Sequence, residues 1–331
     1  MEVIFSDVVA ITDASSVGEA RRTGMAAAER LGLDETKAGE LALLATELSR
    51  NVLIHGGGGE AIILGAKNDD GPVAGILALD KGPGIHDITR ALDDGFSTAG
   101  TMGAGLGAMK RIASELEIFT SRKGTIVFLE LGASKHKQSL QIAGVTVPYK
   151  GERFCGDAWA YHRSAQRMMV LLVDGLGHGW EASDAAQEAV RVFHNHVERS
   201  PREILSYMHD ALKKTRGAAA GISEIRPLDG VVTYAGVGNT VAVVLGEKAS
   251  RSLVSHNGTL GIASPRIHEF RVEWPSDAIL IMHSDGLQSR WDLTSYAGLL
   301  TRHAAVIGGV LIRDFRRERD DSSVVVVKSV A

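Results

Sequence analysis

Cysteine is nearly missing from this chain: Cys155 is the single one in 331 residues. A disulfide framework is therefore excluded, and a reducing compartment is the natural setting. No apolar run reaches about 18 residues, so no membrane span is expected. The N-terminus, MEVIFSDVVAITDASS, has no basic segment, and its apolar run is broken at Ser6 and Asp7, which makes a poor signal peptide. Basic charge is not in excess: 36 Lys and Arg against 40 Asp and Glu leave a net charge of −4. Nothing advertises a nucleic-acid surface. A cytoplasmic protein with neither nucleic-acid nor membrane partners is expected. Two motifs are absent as well. There is no G-x-x-x-x-G-K-[ST] loop for phosphates. There is no C-x5-R for thiolate attack on a phosphoester, because Tyr161 stands where the arginine would be. Cys155 reads as a small core residue.

The length suggests about two domains. The polar stretch Ala133–Gln141, ASKHKQSLQ, carries two lysines and a histidine between two strand-like runs and marks the boundary. The expected division is 1–133, a linker at 134–141, and 142–331. Upstream the order reads strand, helix, helix, strand, strand, Gly-rich loop, helix, strand. Leu41, Leu44, Leu48 and Val52 form one buried helical stripe. Val73–Leu79 reads as a strand, Gly105–Glu115 as a helix and Thr125–Leu131 as the closing strand. Downstream, strands are expected at Ala158–His162, Met168–Val173, Val231–Val237, Thr240–Leu245, Ala278–His283 and Ser323–Lys328. Helices are expected at Ala182–Val197 and Pro201–Lys213. No fixed-period repeat and no low-complexity tract interrupts this pattern.

What is abundant is glycine ahead of a helix. Asp93–Arg111, DDGFSTAGTMGAGLGAMKR, places five glycines between Gly95 and Gly107. Gly103, Gly105 and Ala108 fit a dinucleotide fingerprint, but no strand precedes them and the segment near Lys123 is basic, against that reading. Two further elements favour a nucleotide of another kind. Glu47 and Asn51 are four residues apart and share a helix face. A carboxylate and an amide oxygen so placed can serve a nucleophile and a hydrated Mg²⁺ together. Asp80, at a strand end, can accept from an adenine amino group, with Gly82 and Gly84 letting the chain turn close to a base. Gly103, Gly105 and Gly107 then aim N–H groups at phosphates.

These three elements, in this order, resemble the Bergerat (GHKL) ATP-binding fold. With Gly95-Phe-Ser-Thr-Ala-Gly100 and Gly103-Ala-Gly105-Leu, the resemblance is to the RsbT-type switch-protein serine/threonine kinases of partner-switching systems. It spans roughly Ile4 to Gly132 and implies ATP with Mg²⁺. It also implies Glu47 as base or activator for a protein hydroxyl, Asn51 as Mg²⁺ ligand, Asp80 as adenine acceptor, and Thr125 supporting the adenine side.

In the second half, acidic motifs sit at strand ends: Cys155-Gly-Asp157, Asp174-Gly175-Leu-Gly177-His178-Gly179, His283-Ser-Asp285-Gly-Leu287 and Arg319-Asp320-Asp321. Carboxylates at the rim of a β-core repel one another and need cations to coexist. Hard oxygen ligands favour Mg²⁺ or Mn²⁺, and two such ions about 3.5–4 Å apart can clamp a phosphate. Together with Lys214-Thr-Arg216-Gly217 and Gly236-Val-Gly238-Asn239, these pieces resemble the PP2C-type phosphatases, their SpoIIE group, and within it the RsbX type. The resemblance implies that Asp174 bridges two metal ions, Gly175 offers its carbonyl, Asp285 and Asp320 complete the coordination of the second ion, and Asp157 holds metal-bound water from outside. Catalysis would rest on Asp174 and Asp285. Leu176 occupies the histidine position of the D-G-H-G pattern, and Asp320 and Asp321 both remain open as ligand.

The expected architecture is an N-terminal α/β sandwich of GHKL type followed by a PP2C-like β-sandwich flanked by helices. The resemblance implies a kinase and a phosphatase in one chain, acting on STAS-domain scaffold or antagonist proteins, with a homodimer left open. The alternative is an anti-sigma or scaffold-binding ATP module fused to an active phosphatase.

Overall fold

The computed structural model describes residues 3–68, 71–92, 105–132, 139–246, 250–262 and 266–330. Gly103, the Gly95–Gly100 motif and most of the expected linker lie outside them. The chain divides into two compact units: Met1–Lys137 with Asp292–Arg313, and Gln138–Trp291 with Asp314–Ala331. No described helix is long and apolar enough to cross a membrane.

The first unit is built on a five-stranded antiparallel sheet in the order β1-β2-β3-β5-β4. Its strands are β1 (Val3–Ile11), β2 (Gly59–Asn68), β3 (Gly71–Asp80), β4 (Glu115–Ser121) and β5 (Gly124–Leu131). Between β1 and β2 run α1 (Ala14–Leu31) and α2 (Glu35–Gly56); α3 (Ile88–Ala91) and α4 (Leu106–Ile112) follow β3. Asp13 caps α1 by accepting from the N–H groups of Ser15 and Ser16, and Gly32 ends it in the left-handed region at φ 71°. The stripe Leu41, Leu44, Leu48 and Val52 packs on Val9, Ile63, Ile76 and Leu129 of the sheet.

The expected helix over Gly105–Glu115 is shorter, and β4 was not among the expected strands. α4 stops at Ile112, Ala113 is extended, and Glu115–Ser121 pairs with β5 across a tight turn. Ile118 and Phe119 are adjacent and both buried, so no clean alternation of apolar and polar residues announces this strand. Glu115 and Glu130 face each other in this pairing. Burial, then the Glu115 charge, pushes the Glu130 carboxyl up to about 7. The folded state therefore holds a proton that the unfolded chain releases near 4.5, and stability falls as pH rises through that window. Glu130→Gln is expected to raise stability at pH 8 by about 1–3 kcal/mol and to leave it little changed at pH 4, read by denaturant titration at both pH values.

The second unit stacks two five-stranded sheets, β13-β10-β9-β8-β7 and β12-β11-β14-β15-β6. The strands are β6 (Leu140–Val147), β7 (Asp157–Arg163), β8 (Met168–Gly175), β9 (Ala218–Arg226), β10 (Val231–Val237), β11 (Val241–Leu245), β12 (Ser250–Leu253), β13 (Phe270–Glu273), β14 (Ile279–His283) and β15 (Ser322–Ser329). Helices α5 (Trp180–Asn195) and α6 (Pro201–Ala211) cover the first sheet with Ala185, Ala189, Phe193, Leu205 and Met208. Ser200 and Glu203 form a capping box at the start of α6, with Pro201 in its first turn. The sheets meet closely: a Cβ at Gly144 would lie 2.3 Å from the Trp159 ring. The described architecture is the expected one, an α/β layer pair followed by a helix-flanked β-sandwich.

Beyond β9, β12 and β13, which were not among the expected strands, one longer segment has no counterpart among the sequence expectations. Residues 292–313 leave the second unit after β14 and belong with the first, and the chain returns to form β15. They include most of α7 (Ala304–Phe315). His303 stacks on Phe128 at 4.4 Å, and Arg302 pairs with Glu117 at 3.6 Å. A Cβ at Gly309 would sit 3.2 Å from Leu77, Leu79 and Ile126. These are the sheet residues of opposite parity to those under α1 and α2. The sheet is thus covered on both faces, which explains why β3 and β5 are apolar at consecutive positions rather than alternating.

Candidate nucleotide and metal sites

Asp80 closes β3 and turns its carboxylate back on the chain. Its Oδ1 accepts from the Gly82 N–H at 2.8 Å and the Thr125 N–H at 3.1 Å. The clasp depends on bare backbone. A Cβ at Gly56 would lie 2.4 Å from the Asp80 Cβ, and one at Gly82 would lie 2.8 Å from the Gly56 Cα. Gly124, at φ 122°, lets its Cα pass the Asp80 carbonyl, to which an added Cβ would come within 2.0 Å. Gly84 takes φ 82° beside the Ser121 carbonyl. Thr125 is buried, and its hydroxyl lies 3.3 Å from that of Thr120, which accepts from the Ile85 N–H at 2.7 Å.

The C-terminal end of α2 abuts this clasp through Gly56. Helix rise places Asn51 about 7 Å and Glu47 about 13 Å back along the same axis. Glu47 is buried, with Arg50 at 3.5 Å, and Asn51 is half-buried one turn on. Gly105 stands at the N-cap of α4 with no side-chain cap, and Gly107 is buried in its first turn. The structure thus brings together Asp80, Gly82, Gly84 and Thr125 at the end of the helix bearing Asn51 and Glu47. Gly56, Gly124 and Thr120 complete the clasp. Gly124 lies between Lys123 and Thr125, which the sequence singled out, whereas Gly56 and Thr120 are joined to the clasp only by the fold. The donor set suits a purine nucleotide with a hydrated divalent cation: one aspartate holding a turn, an amide and a carboxylate on one face, and backbone bared by glycine.

In the second unit, strand register does the gathering. Asp157 and Asp174 are cross-strand partners of β7 and β8. Asp285 follows β14 by two residues, and Asp320 precedes β15 by two, the two strands being paired neighbours. The Gly175 N–H donates to the Gly156 carbonyl at 3.0 Å, tying the two loops together. The Ser284 hydroxyl donates to Asp157 Oδ2 at 2.6 Å, and the Asn239 amide to Asp285 Oδ2 at 2.6 Å. Asn239 belongs to a motif the sequence singled out, but its partner only emerges from the fold.

Asp320 and Asp321 separate clearly. Both oxygens of Asp321 are taken by backbone, the Tyr149 N–H at 2.8 Å and the Gly156 N–H at 3.0 Å, and the residue is buried. Asp320 accepts from the Asp321 N–H at 3.0 Å through one oxygen. Burial and the charge of Asp285 raise its carboxyl, while His178 opposes the shift.

Burial, followed by the charges of Asp157, Asp285, Asp320 and Asp321, pushes Asp174 up to about 9. Burial, with Asp321 and Asp320 adding and Ser284 opposing, takes Asp157 to about 7. Carboxylates in this state are ionised at neutral pH only with cations beside them. Among the described residues no three His, Cys, Asp or Glu side chains close on one point. Divalent ions held here would therefore draw on main-chain oxygen and water, as Mg²⁺ commonly does. All the donors are oxygen, so the set fits hard divalent cations rather than Zn²⁺. Cys155 stays out of the chemistry: burial and the Asp157 and Asp321 charges push its thiol well above the ordinary range.

Comparison with known proteins matches two separate stretches of the chain. A histidine kinase-like ATPase domain family matches residues 11–131, and the stage II sporulation protein E (SpoIIE) family matches residues 164–328. The serine/threonine-protein kinase RsbT of Bacillus subtilis (strain 168) is 35% identical over 99 residues, covering 30% of this chain and 74% of RsbT. The chain belongs to the RsbT-like kinases, fused to a PP2C-type phosphatase domain of the SpoIIE group. For that second domain, the phosphoserine phosphatase RsbX of the same organism is 25% identical over 140 residues, 42% of this chain and 70% of RsbX. RsbX solved in complex with magnesium shares the fold, with a TM-score of 0.53 at 19% identity over 65% of this chain and 100% of that one. A solved structure from the bacterial stressosome, described as a modular system adapted to control secondary messenger signalling, gives a TM-score of 0.55. Its identity is 26%, over 58% of this chain and 100% of that one. ATP and divalent-metal use follow from the two domain types.

Proposed function

We propose that this protein places phosphate on a serine or threonine of a STAS-domain partner through its first unit and removes it through its second. The setting is cytoplasmic partner switching in bacterial stress or sigma-factor control. The observation that carries the phosphatase half is the burial of Asp174 among four other aspartates, an arrangement that needs divalent cations to hold its charge. Divalent ions supply Lewis acidity toward a phosphoester and a more acidic water. Asp174, Asp285, Asp320 and the Gly175 carbonyl would hold two ions, Mn²⁺ or Mg²⁺. Asp157, held by Ser284, would order water beside them. Asp321 is assigned to the scaffold, because its oxygens already serve two backbone N–H groups.

For the kinase half, Asp80 would accept from the adenine amino group while holding the Gly82 and Thr125 turn. Asn51 would ligate Mg²⁺. Gly103, Gly105 and Gly107 would present N–H groups to the phosphates. Glu47 would orient and deprotonate the attacking hydroxyl, since phosphoryl transfer is mostly positioning and charge stabilisation. The relatives RsbT and RsbX, a kinase and a phosphatase matched to separate parts of this chain, support opposed activities.

Purified protein incubated with ATP, Mn²⁺ and a cognate STAS protein tests the reading. With Asp174→Asn, phosphopartner is expected to accumulate and persist; with Glu47→Ala, nucleotide and partner still bind and none forms. If Asp174→Asn yields no more phosphopartner than the unaltered protein, the opposed activities are not there. If Glu47→Ala transfers phosphate normally, the first unit acts without that base.

A further inference from the structure

Three large apolar side chains stand exposed on the segments that lead into Asp157 and out of Asp174. Phe154 lies three residues before Asp157. Leu176 and Trp180 lie two and six residues after Asp174. Their exposures are 41%, 50% and 62%. The Phe154 and Trp180 rings meet edge to face at 5.4 Å and 71°. The loops are fastened by the Gly175 to Gly156 hydrogen bond, and the Leu176 N–H donates to the Gly217 carbonyl at 3.0 Å. These apolar groups therefore hang from the same backbone that fixes the acidic cluster. Two arginines flank them. The Arg153 guanidinium lies 5.7 Å over the Phe154 ring, and Arg216 lies over Gly177, paired with Glu181.

Apolar side chains exposed singly are ordinary. An aromatic pair with an exposed leucine four residues before its tryptophan, flanked by cations and borne by the segments next to the acidic cluster, is the pattern of an interaction surface. We propose that Phe154, Leu176 and Trp180 form a ledge that seats a large apolar side chain one to three residues from the phosphorylated serine or threonine of a protein substrate. This rests on the phosphatase reading above. The occupant follows from reach and charge. A phosphoester entering the acidic cluster leaves its own chain extending about 3.3–3.6 Å per residue, so its near neighbours pass over these loops. Arg153 and Arg216 complement the phosphate as it approaches. A small aryl phosphate reaches the carboxylates without needing the ledge.

The test uses the full chain with Mn²⁺ and three probes: p-nitrophenyl phosphate, a phosphothreonine peptide with leucine at the flanking positions, and the same peptide with serine there. The unaltered protein should prefer the leucine peptide about tenfold in kcat/KM. Phe154→Ala with Trp180→Ala should cost about 10–100-fold on that peptide, mainly through KM, remove the preference, and leave p-nitrophenyl phosphate within about twofold. Trp180→Phe should retain most of the preference. An unaltered protein without preference overturns the proposal. So does a double variant that loses p-nitrophenyl phosphate turnover equally, or one that changes only the sedimentation of the protein, which would make the ledge a contact between copies. A second reading is independent of turnover: the leucine peptide should shield Trp180 from acrylamide quenching, measured as the difference from Trp180→Phe. If p-nitrophenyl phosphate is not hydrolysed but shielding occurs, the phosphatase reading fails and the ledge stands; absent shielding removes the ledge.

Discussion

Exchanging Asp174 for asparagine is expected to lower metal-dependent phosphatase turnover by about 10²–10³-fold, while making the metal-free protein more stable at alkaline pH. The first effect follows from the place of this carboxylate between Asp157, Asp285 and Asp320. Metal-assisted stabilisation of a phosphoryl transition state amounts to several kcal/mol, and each 1.36 kcal/mol is tenfold. The second follows from its proton. The folded state keeps Asp174 protonated up to about 9, against 3.8 ordinarily, so between those values it binds more protons than the unfolded chain. Stability of the metal-free protein then falls as pH rises across the window. Melting in EDTA at pH 5, 7 and 9 should show that fall for the unaltered protein and a shallower one for Asp174→Asn. A variant that turns over normally with Mn²⁺ would remove Asp174 from the metal site.

Replacing Asp80 by alanine is expected to weaken ATP binding by at least about 10²-fold and to destabilise the first unit. The clasp explains both. Without Oδ1 the Gly82 and Thr125 N–H groups lose their acceptor, and each orphaned donor costs about 1–3 kcal/mol. Asp80→Asn separates the two roles. Its Oδ1 still accepts from the backbone, so the fold survives, but its Nδ2 presents a donor to the adenine amino group where an acceptor stood. Calorimetric titration with ATP should show binding lost in both variants, and melting should show destabilisation mainly in Asp80→Ala. Retained affinity in Asp80→Asn would place the adenine elsewhere.

Much of this was legible in the chain because it is written in local spacing. The α2 stripe, the capping signals of α6, and the aspartates at strand ends follow from periodicity and from where apolar runs stop. The two-part architecture followed from ordered motifs. Among the features that were not legible, three have a clear physical reason. Ala218–Arg226 is rich in alanine and glycine and lacks strand character, yet it sits between β8 and β10, where neighbours on both sides decide its conformation. Residues 304–313 are buried throughout, so α7 shows no amphipathic period. Its docking left a trace in Leu77, Leu79, Ile126 and Phe128, whose parity calls for a second cover on the sheet. The engagement of both Asp321 oxygens by backbone could not be read from adjacent identical residues. It needed the Tyr149 and Gly156 N–H groups, more than 160 positions away.

Counting bound Mn²⁺ by electron paramagnetic resonance, in parallel with calorimetry of ATP binding, on Asp80→Asn and Asp174→Asn compares the two pockets directly. Orthogonal losses are expected: Asp80→Asn gives up ATP and keeps the Mn²⁺ bound without nucleotide, while Asp174→Asn gives up that Mn²⁺ and keeps ATP. Loss of both ligands in either variant, or of neither in both, would contradict two separate sites built on these carboxylates.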